Sequence, residues 1–554
     1  MKRIIRHILV LFLLLMGGSA TLVAQRDTIR KEVRVVKPYE PVVGEARKID
    51  IQPELHDTAH YRPEITYTLT PRPFMTPFRP RPIKPARLQP ESVPRLYKSY
   101  LKLGMGSHIT PLAEFSMSSL RSKDHLAGVY VRSFSSYGDV KLGNGKKVDG
   151  NFSELRTMLF GKKMYRSYTV DGELRFNNDK RLYYGYYPSL DTLLDKDSIR
   201  QNYLNPGITL GIHSTHADSS HLNYRATVKY DYLGDHYDHY QHALDVEGHL
   251  YKVVQGKTMG LEGAVKYFNS DLYPTGSYNT NIRIEPWFYQ STTEWRLKAS
   301  LAAVIDLTQG NTDIRLYPRV RFQFRIIPEY LTSFLGMDGG MDVNDRLTMV
   351  RRNPYLRPDQ MVLNTDRKMV FYAGLSGSLA AGTEYKLYAS FSLVDQMPFF
   401  INDTTSGGLA NRFITVYDDV QRLHLSGEFI GRLSNSFSLY LRAAFDNYSM
   451  TVLDEPWHVP PFTGTLGMSY NLGNKIFIRS DMAYVGARYA PDPFTGDRIR
   501  LDGYPDLNLS LEYRYRKILS FFLNFNNIAS VRYEPWNQYP TYGFFVLGGF
   551  TYSL

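Results

Sequence analysis

The strongest constraint on the fold of this chain is an alternation of apolar and polar side chains with a period of two, running from about residue 98 to residue 554. In the stretch 505–515, one face is apolar and the other is polar. The apolar face carries Leu507, Leu509, Leu511, Tyr513 and Tyr515. Successive side chains of a β-strand point to opposite faces, so this period indicates strands whose faces meet different surroundings. The chain is therefore predicted to be all-β over most of its length.

The polar face of a second stretch distinguishes a soluble sheet from a membrane barrel. Residues 314–326 place apolar side chains at the even positions and polar ones at the odd positions. The odd positions are Arg315, Tyr317, Arg319, Arg321, Gln323 and Arg325. Several arginines on one buried face would be too costly in a soluble sandwich, whereas a water-filled lumen keeps them hydrated. The pattern predicts a transmembrane antiparallel β-barrel with its apolar face toward lipid.

The connections between the expected strands alternate between short and long, as they do in outer-membrane barrels with short periplasmic turns and long outer loops. Short turns are expected at 255–257, 291–292, 434–435, 473–474 and 516–517. Long loops are expected at 138–150, 188–202, 344–367, 397–411, 450–460 and 489–504. Counting on this basis predicts about 22 strands, within a range of 16–22, because hairpins near 107–111 and 181–187 are ambiguous.

Composition agrees with a barrel once the alternation is known. A mean hydropathy of -0.33 would suit a soluble protein, and 554 residues would suffice for three soluble domains. A barrel wall, however, needs apolar residues only at alternate positions, which keeps the average low. The 43 tyrosines fit the aromatic girdles that such barrels carry at both membrane interfaces.

Residues 1–24 are predicted to be a cleaved signal peptide. Lys2, Arg3 and Arg6 form a basic start, and the apolar stretch 8–16 is too short for a retained transmembrane helix, which is the alternative. Cleavage is expected after Ala20 or Ala24. The chain has no cysteine, which excludes a lipoprotein anchor, disulfides and thiolate metal ligands. Export with a barrel pattern predicts an outer-membrane location.

Residues 25–96 are expected to form an extended arm, with the barrel occupying 97–554. The arm has about 70 residues, fewer than a typical domain, and its second half is rich in proline, which favours polyproline II. Its basic residues are Arg72, Arg79, Arg81, Lys84 and Arg87, with no acid between Ile65 and Pro90. The arm is expected to thread the lumen or dock on a periplasmic partner, because a wide barrel would otherwise leak. A disordered tether is the alternative.

The last strand is predicted from a second aromatic alternation. We expect Tyr542, Phe544, Val546, Gly548, Phe550, Tyr552 and Leu554 to share the outer face, with Thr551 and Ser553 pointing inward. A closing strand of this aromatic type resembles the β-signal that the barrel-assembly machinery reads. Leu554 stands where the signal usually has phenylalanine.

The C-terminal tenth of the chain resembles the barrel of TonB-dependent receptors. The matching motifs are Asn526-Asn527-Ile528, Tyr533-Glu534 and Tyr539-Pro540, although the usual Gly-Arg after that proline is missing. The stretches 31–41, 100–104 and 110–112 are similar to exported Bacteroidota barrels of a TonB-receptor-like type. The family has a plug domain of well over a hundred residues, and the arm is too short and too proline-rich to form it. Residues 32–36 are similar to a TonB box, but TonB-driven uptake does not follow from five residues.

The first candidate site is a basic wall inside the barrel. Its residues are Arg296, Lys298, Arg315, Arg319, Arg321 and Arg325. One interpretation is that these cations attract an anionic solute or bind the acids of the arm. The alternative is that they pair across strands with acids such as Asp338 and Asp342.

Two further candidates lie in expected outer loops. The first is the stretch 235–242, which contains His236, His239 and His242. Histidine side chains could bind zinc or another divalent metal there, and a plain polar hairpin is the alternative. The loop 344–367 carries four arginines suited to lipopolysaccharide phosphates, and a solvated loop is the alternative. They are Arg346, Arg351, Arg352 and Arg357.

The sequence contains no catalytic motif, so we expect neither an enzyme nor a cofactor. The formal charge of +12 includes three cations of the predicted signal peptide, which leaves +9 for the rest of the chain. A basic surface suits anionic lipopolysaccharide. Nucleic acid is not expected as a partner, because the chain is exported. The leading hypothesis is a plugless, TonB-receptor-like or porin-like barrel that transports polar or anionic solutes. The alternative is a structural subunit of an outer-membrane assembly or secretion complex, docked through the arm.

Overall fold

The computed structural model describes residues 97–119, 122–143, 145–186, 197–215, 221–272, 278–308, 310–405 and 408–554. The predicted signal peptide and arm, with their basic residues, lie outside these ranges. Within these ranges, one short helix, α1 (Arg346–Arg352), occurs among elements that are otherwise strands. No helix among the described residues is long and apolar enough to cross a membrane.

Twenty-two strands form one closed antiparallel sheet, and four short strands form two hairpins in its loops. The strands are β1 (Ser99–Gly106), β2 (Thr110–Ser118), β3 (His125–Ser136), β4 (Asp139–Lys141), β5 (Lys147–Asp149), β6 (Phe152–Met164), β7 (Tyr168–Leu182), β8 (Arg200–Ser214), β9 (Asn223–Gly234), β10 (Tyr240–Val254), β11 (Lys257–Ser270), β12 (Asn279–Ser291), β13 (Trp295–Thr308), β14 (Asn311–Ile327), β15 (Leu331–Asp342), β16 (Thr365–Ala380), β17 (Thr383–Asn402), β18 (Phe413–Arg432), β19 (Phe437–Met450), β20 (Phe462–Leu472), β21 (Ile476–Val485), β22 (Arg488–Pro491), β23 (Arg498–Leu501), β24 (Tyr504–Arg516), β25 (Leu519–Asn526) and β26 (Phe545–Ser553).

The first and last strands close the barrel. β1 pairs with β26 so that Leu103 lies opposite Phe550. Beyond this ladder, the backbone N–H of Ser99 donates to the carbonyl of Leu554 at 3.0 Å, and a reciprocal bond of 2.9 Å follows. The β4–β5 and β22–β23 hairpins lie outside the ladder. The predicted all-β barrel is confirmed, at the upper limit of its strand range.

The two faces of the wall differ as the alternation requires. On β14, Ile314 and Leu316 are 70% and 61% exposed on the outer face. Arg315 and Arg319 alternate with them and form ion pairs on the inner face. Register carries this division from strand to strand, since apolar Leu301 of β13 lies opposite Pro318 of β14. A closed sheet with an apolar outer belt and a charged interior is the surface of a membrane-spanning barrel.

The two ends of the barrel differ in the length of their connections. At the turn end, tight turns such as Gln255–Gly256 join the strands, and both Ser99 and Ser553 lie there. At the loop end lie 137–151, 183–199, 343–364, 403–412, 451–461, 486–503 and 527–544. By the rule for outer-membrane barrels, the turn end faces the periplasm. Six of these loops match the predicted ones, and 527–544 is an additional long loop.

The closing strand begins later than the sequence pattern suggested. β26 starts at Phe545, and its outer face carries Val546, Phe550 and Tyr552. Tyr542 belongs instead to the preceding loop, where its hydroxyl donates to the carbonyl of Gly150 at 2.6 Å. The outer-face assignment of Tyr542 was therefore wrong, because a contact between loops determines its position.

Candidate functional site

The loops of the loop end fold inward and pack on one another. Their buried apolar side chains, together with the ends of β17 and β18, form one cluster, which we call the lid core. It consists of Val140, Leu142, Tyr184, Tyr186, Met349, Leu356, Val362, Phe400, Phe413 and Tyr539. β17 and β18 have 20 residues each, about twice what a tilted strand needs to cross a bilayer. Their excess length carries Phe400 and Phe413 into the lid core.

The segment 343–364, which we call the crossing segment, contacts several separate parts of the barrel mouth. Its helix α1 is capped by Asp345, whose side chain accepts from the backbone N–H of Thr348. On the β10 side, Gln241 donates to Asp345 at 2.9 Å and accepts from the backbone N–H of Arg346 at 2.9 Å. The guanidinium of Arg346 forms a buried ion pair with Asp235 in the β9–β10 turn.

Two asparagines attach the ends of the crossing segment to the neighbouring wall. The amide of Asn344 donates to the hydroxyl of Thr365 at 2.8 Å. The amide of Asn364 donates to Asp306 of β13 at 3.1 Å and to Asn279 of β12 at 3.3 Å. These buried polar contacts are satisfied within the mouth, which favours one conformation of the segment.

Tyrosines join the crossing segment to loops on the far side. The Tyr355 ring stacks on Tyr539 with ring centroids 3.7 Å apart. The hydroxyl of Tyr184 donates to the carbonyl of Pro540 at 3.0 Å, and that of Tyr183 donates to the carbonyl of Leu356 at 2.8 Å. Tyr539 is 1% exposed. The loops with the lid core therefore form a packed layer within the mouth, which we call the lid.

A buried histidine connects three parts of the lid. His458, in the loop 451–461, lies 2.8 Å from the carbonyl of Phe400 through Nδ1, and its Nε2 lies 3.2 Å from the backbone N–H of Asn537. An N–H must donate to a carbonyl, so Nδ1 carries the proton and Nε2 accepts. Burial, with the positive charge of Arg488 nearby, lowers the pKa of His458 to about 3. The lid is therefore built around the neutral imidazole.

A cavity of about 360 Å³ lies where α1 faces the inner wall of β15–β18. Its lining residues are Asp342, Arg352, Thr365, Arg367, Val370, Tyr388, Ser390, Ser392, Val394, Met397, Pro398, Arg422 and His424. Arg367 binds Asp342 through two nitrogens at 3.1 and 3.0 Å. Arg422 and His424 both contact one oxygen of Asp446 at 2.8 Å. Arg352 forms no ion pair or hydrogen bond within the described part of the chain.

The predicted basic wall lies on the inner faces of β13 and β14, and three of its members pair with acids. Arg319 contacts Glu285 at 2.7 Å and Asp338 at 3.0 Å. Arg315 binds Asp366, and Lys298 lies 3.9 Å from Glu262. Asp342, the other expected partner, pairs with Arg367 instead.

The remaining members of the wall make other contacts. Arg321 lies over the ring of Phe334, and Arg325 donates to the carbonyl of Thr293 at 2.8 Å, near the turn end. Arg296 has no acidic partner among the described residues. The structure thus spreads these cations along the barrel axis and does not gather them into one site.

Two of the loop arginines are held in ion pairs within the protein. Arg346 is 5% exposed in its ion pair with Asp235, and Arg357 contacts Asp359 at 2.7 Å and Asp403 at 3.5 Å. Arg351 and Arg352 are both exposed, and Arg352 also lines the cavity. The expectation of a solvated or phosphate-binding loop was wrong for Arg346, because the crossing segment turns into the barrel mouth.

The three predicted metal-binding histidines do not converge. His236 lies against the ring of Tyr237, and His239 bonds to Asp271 at 2.6 Å. His242 is the third residue of β10 and contacts the hydroxyl of Tyr230 at 2.7 Å. Its ring also packs on Tyr232 and Tyr240, in the aromatic girdle of the outer face. No group of three potential metal ligands occurs in the described ranges, because the strand starts inside the motif and separates its histidines.

Sequence reasoning missed the lid and the cavity behind it. The available signal was apolar content inside long loops, such as Met349 and Val350 between arginines, and the tyrosine run at 183–187. Solvated loops are usually polar, so buried-type residues in them indicate packing.

No protein-family model and no curated protein matches the chain. Solved structures do match. The FrpB iron transporter from Neisseria meningitidis (F3-3 variant) aligns with a TM-score of 0.64 and 9% identity over 83% of this chain and 82% of that one. The copper transporter OprC aligns with a TM-score of 0.62 and 12% identity over 82% and 80%. The ferric-catecholate import receptor Fiu from K12 E. coli aligns with a TM-score of 0.60 and 9% identity over 83% and 82%.

These neighbours are TonB-dependent receptors and transporters of the outer membrane, and they are not enzymes. At such low identities the likeness establishes the fold. The chain therefore has the 22-strand barrel of that family. With its apolar outer belt, this barrel confirms the outer-membrane location predicted from the sequence.

Proposed function

We propose that this protein is a gated outer-membrane transport barrel for small polar or anionic solutes, in which movement of the lid opens the outer mouth. The observation that carries the proposal is the pairing of a charged, hydrated inner wall with a packed lid. A hydrated wall suits passage of polar solutes. A lid core with Tyr539 and Phe413 at 1% and 0% exposure leaves little space for them until it moves.

The fold neighbours support a transport role, since their names describe iron and copper transporters and a ferric-catecholate import receptor. The basic wall and the cationic cavity support polar or anionic solutes over apolar ones. We also propose that the barrel-assembly machinery inserts the chain through β26. Exposed basic residues such as Arg351 would contact lipopolysaccharide, whose phosphates pair with guanidinium groups.

The test is single-channel conductance in planar bilayers. We expect the full mature chain to be closed and Tyr539→Ala to open it, because that substitution removes the ring at the centre of the lid. Tyr330→Ala removes an exposed tyrosine in a turn-end connection and serves as the matched control. A chain that stays closed after Tyr539→Ala would contradict the proposal.

A second candidate, a structural subunit of an outer-membrane assembly or secretion complex, is favoured by the same lid if it never opens. In that case the lid would complete a rigid outer surface for a protein partner. Closed bilayers for both variants, together with co-purification of a defined periplasmic or outer-membrane protein, would support it. Deleting 26–96 and losing that co-purification would identify the arm as the docking element.

A further inference from the structure

The cavity beside α1 combines one residue of the lid with residues of the barrel wall. Arg352 comes from the last turn of α1, whereas Arg367 and Arg422 come from β16 and β18. Met349 of the same helix is buried in the lid core, whereas Val350 packs with Tyr203 and Leu233 of β8 and β9. Any molecule held between Arg352 and the wall would therefore contact both the moving part and the fixed part of the barrel.

The charge of the cavity is positive. Its lining includes three guanidinium groups against a single carboxylate, Asp342. Asp446, behind the lining, is shared by Arg422 and His424. Arg352 is exposed and has no acid or hydrogen-bond acceptor among the described residues. An unpaired guanidinium beside two others is suited to the oxygens of a carboxylate or phosphate.

The rest of the lining is suited to a compact molecule with hydroxyl groups. The hydroxyls of Tyr388 and Ser390 make no hydrogen bond with described residues and line the same cavity. Val370, Val394 and Met397 supply apolar contact for carbon atoms. A volume of about 360 Å³ lies at the lower end of the range for small-molecule sites.

We propose that this cavity binds a small hydroxylated organic anion, with a sugar acid or a sugar phosphate as the class of ligand. Arg352, Arg367 and Arg422 hold the anionic group, and Tyr388 and Ser390 bond to the hydroxyls. Because the ligand bridges Arg352 and the wall, it binds the closed lid more tightly than the open lid and stabilises closure. The inference rests on the proposed function, because it names the chemical class of the solute that the barrel would transport.

The experiment is isothermal titration of the purified full mature chain in detergent with D-glucuronate and with glucose 6-phosphate. D-glucose tests the need for charge, and succinate tests the need for hydroxyls. We expect saturable binding of one or both anionic sugars, with binding of only one deciding between carboxylate and phosphate. Neither control should bind comparably. Equilibrium binding needs no transport, so a closed bilayer with normal binding would sink the proposed function and leave this site intact.

The matched variants are Arg352→Gln and Arg351→Gln. Both remove an exposed cation from α1, but only Arg352 lines the cavity. Loss of a charge-assisted hydrogen bond should weaken binding about tenfold or more in Arg352→Gln, and Arg351→Gln should bind like the parent chain. Absence of saturable binding by the parent, equal effects of the two variants, or equal binding of glucose or succinate would overturn the proposal.

Discussion

The two ends of the barrel close the chain in different ways. At the turn end, residues with positive φ such as Gln255, Gly256 and Asn474 reverse the strands in a few residues. At the loop end, residues as far apart in sequence as Tyr184 and Tyr539 pack into one buried core. Tight turns need only local backbone conformation, whereas the lid needs long-range packing. The proposed gate therefore lies at the loop end, where the packing is long-range.

The largest expected effect comes from the centre of the lid. Tyr539→Ala removes a buried ring and leaves a cavity, which typically costs about 3–5 kcal/mol for a large aromatic side chain. Hydrogen exchange of the crossing segment should accelerate by at least about a hundredfold, since each 1.4 kcal/mol is a factor of ten. Tyr330→Ala, at the turn end and 56% exposed, should leave this exchange unchanged. Equal exchange in the two variants would remove the distinction between the ends.

A somewhat smaller effect is expected at the edge of the lid. Arg346→Met leaves Asp235, whose side chain is fully buried, without its ion-pair partner. Breaking a buried pair in this way costs about 3 kcal/mol or more because an uncompensated charge remains. A urea titration monitored by hydrogen exchange of α1 should show a lower midpoint for Arg346→Met than for the parent chain. Arg351→Met, five residues later and exposed, should keep the parent midpoint. A parent-like Arg346→Met would mean that the pair does not hold the crossing segment.

Acid should weaken the lid through His458. Its folded pKa is about 3, whereas an unperturbed histidine titrates near 6.5. Both states are neutral above about pH 6.5, so stability is constant there. As pH falls from that value toward the folded pKa, the open state takes up a proton that the closed lid resists, at about 1.4 kcal/mol per pH unit.

Exchange of the crossing segment, corrected for intrinsic rates, should therefore rise about fifteenfold between pH 6.5 and pH 5, because the histidine of the open state is already half protonated at pH 6.5. His458→Asn should reduce this dependence, since asparagine tolerates the positive φ of 62° at this position and retains a donor for Phe400. Burial also raises the pKa of Glu534, which acts in the opposite sense, so the difference between parent and variant isolates His458. Identical pH profiles would exclude it as the acid-sensitive group.

The sequence was sufficient for the barrel but not for the lid. Alternation of the kind seen in 505–515 depends only on which face meets lipid, so strand after strand can be predicted locally. The stacking of Tyr355 on Tyr539 joins residues in different loops, and no local pattern encodes such a pair. The residues of the predicted basic wall lie on β13 and β14, where the local alternation puts them, but that alternation gives no sign of the cavity around Arg352. Arg352 reaches it only because the crossing segment folds inward.

Thiol accessibility in intact outer membranes tests the lid most directly, because the chain has no native cysteine. Met349→Cys places a thiol in the lid core, where Met349 is 1% exposed, and Val452→Cys places one at a loop position that is 79% exposed. With a membrane-impermeant maleimide, we predict rapid labelling of Val452→Cys and protection of Met349→Cys. Adding Tyr539→Ala should remove that protection. Labelling of Met349→Cys in the otherwise intact chain as fast as Val452→Cys would contradict the existence of a closed lid.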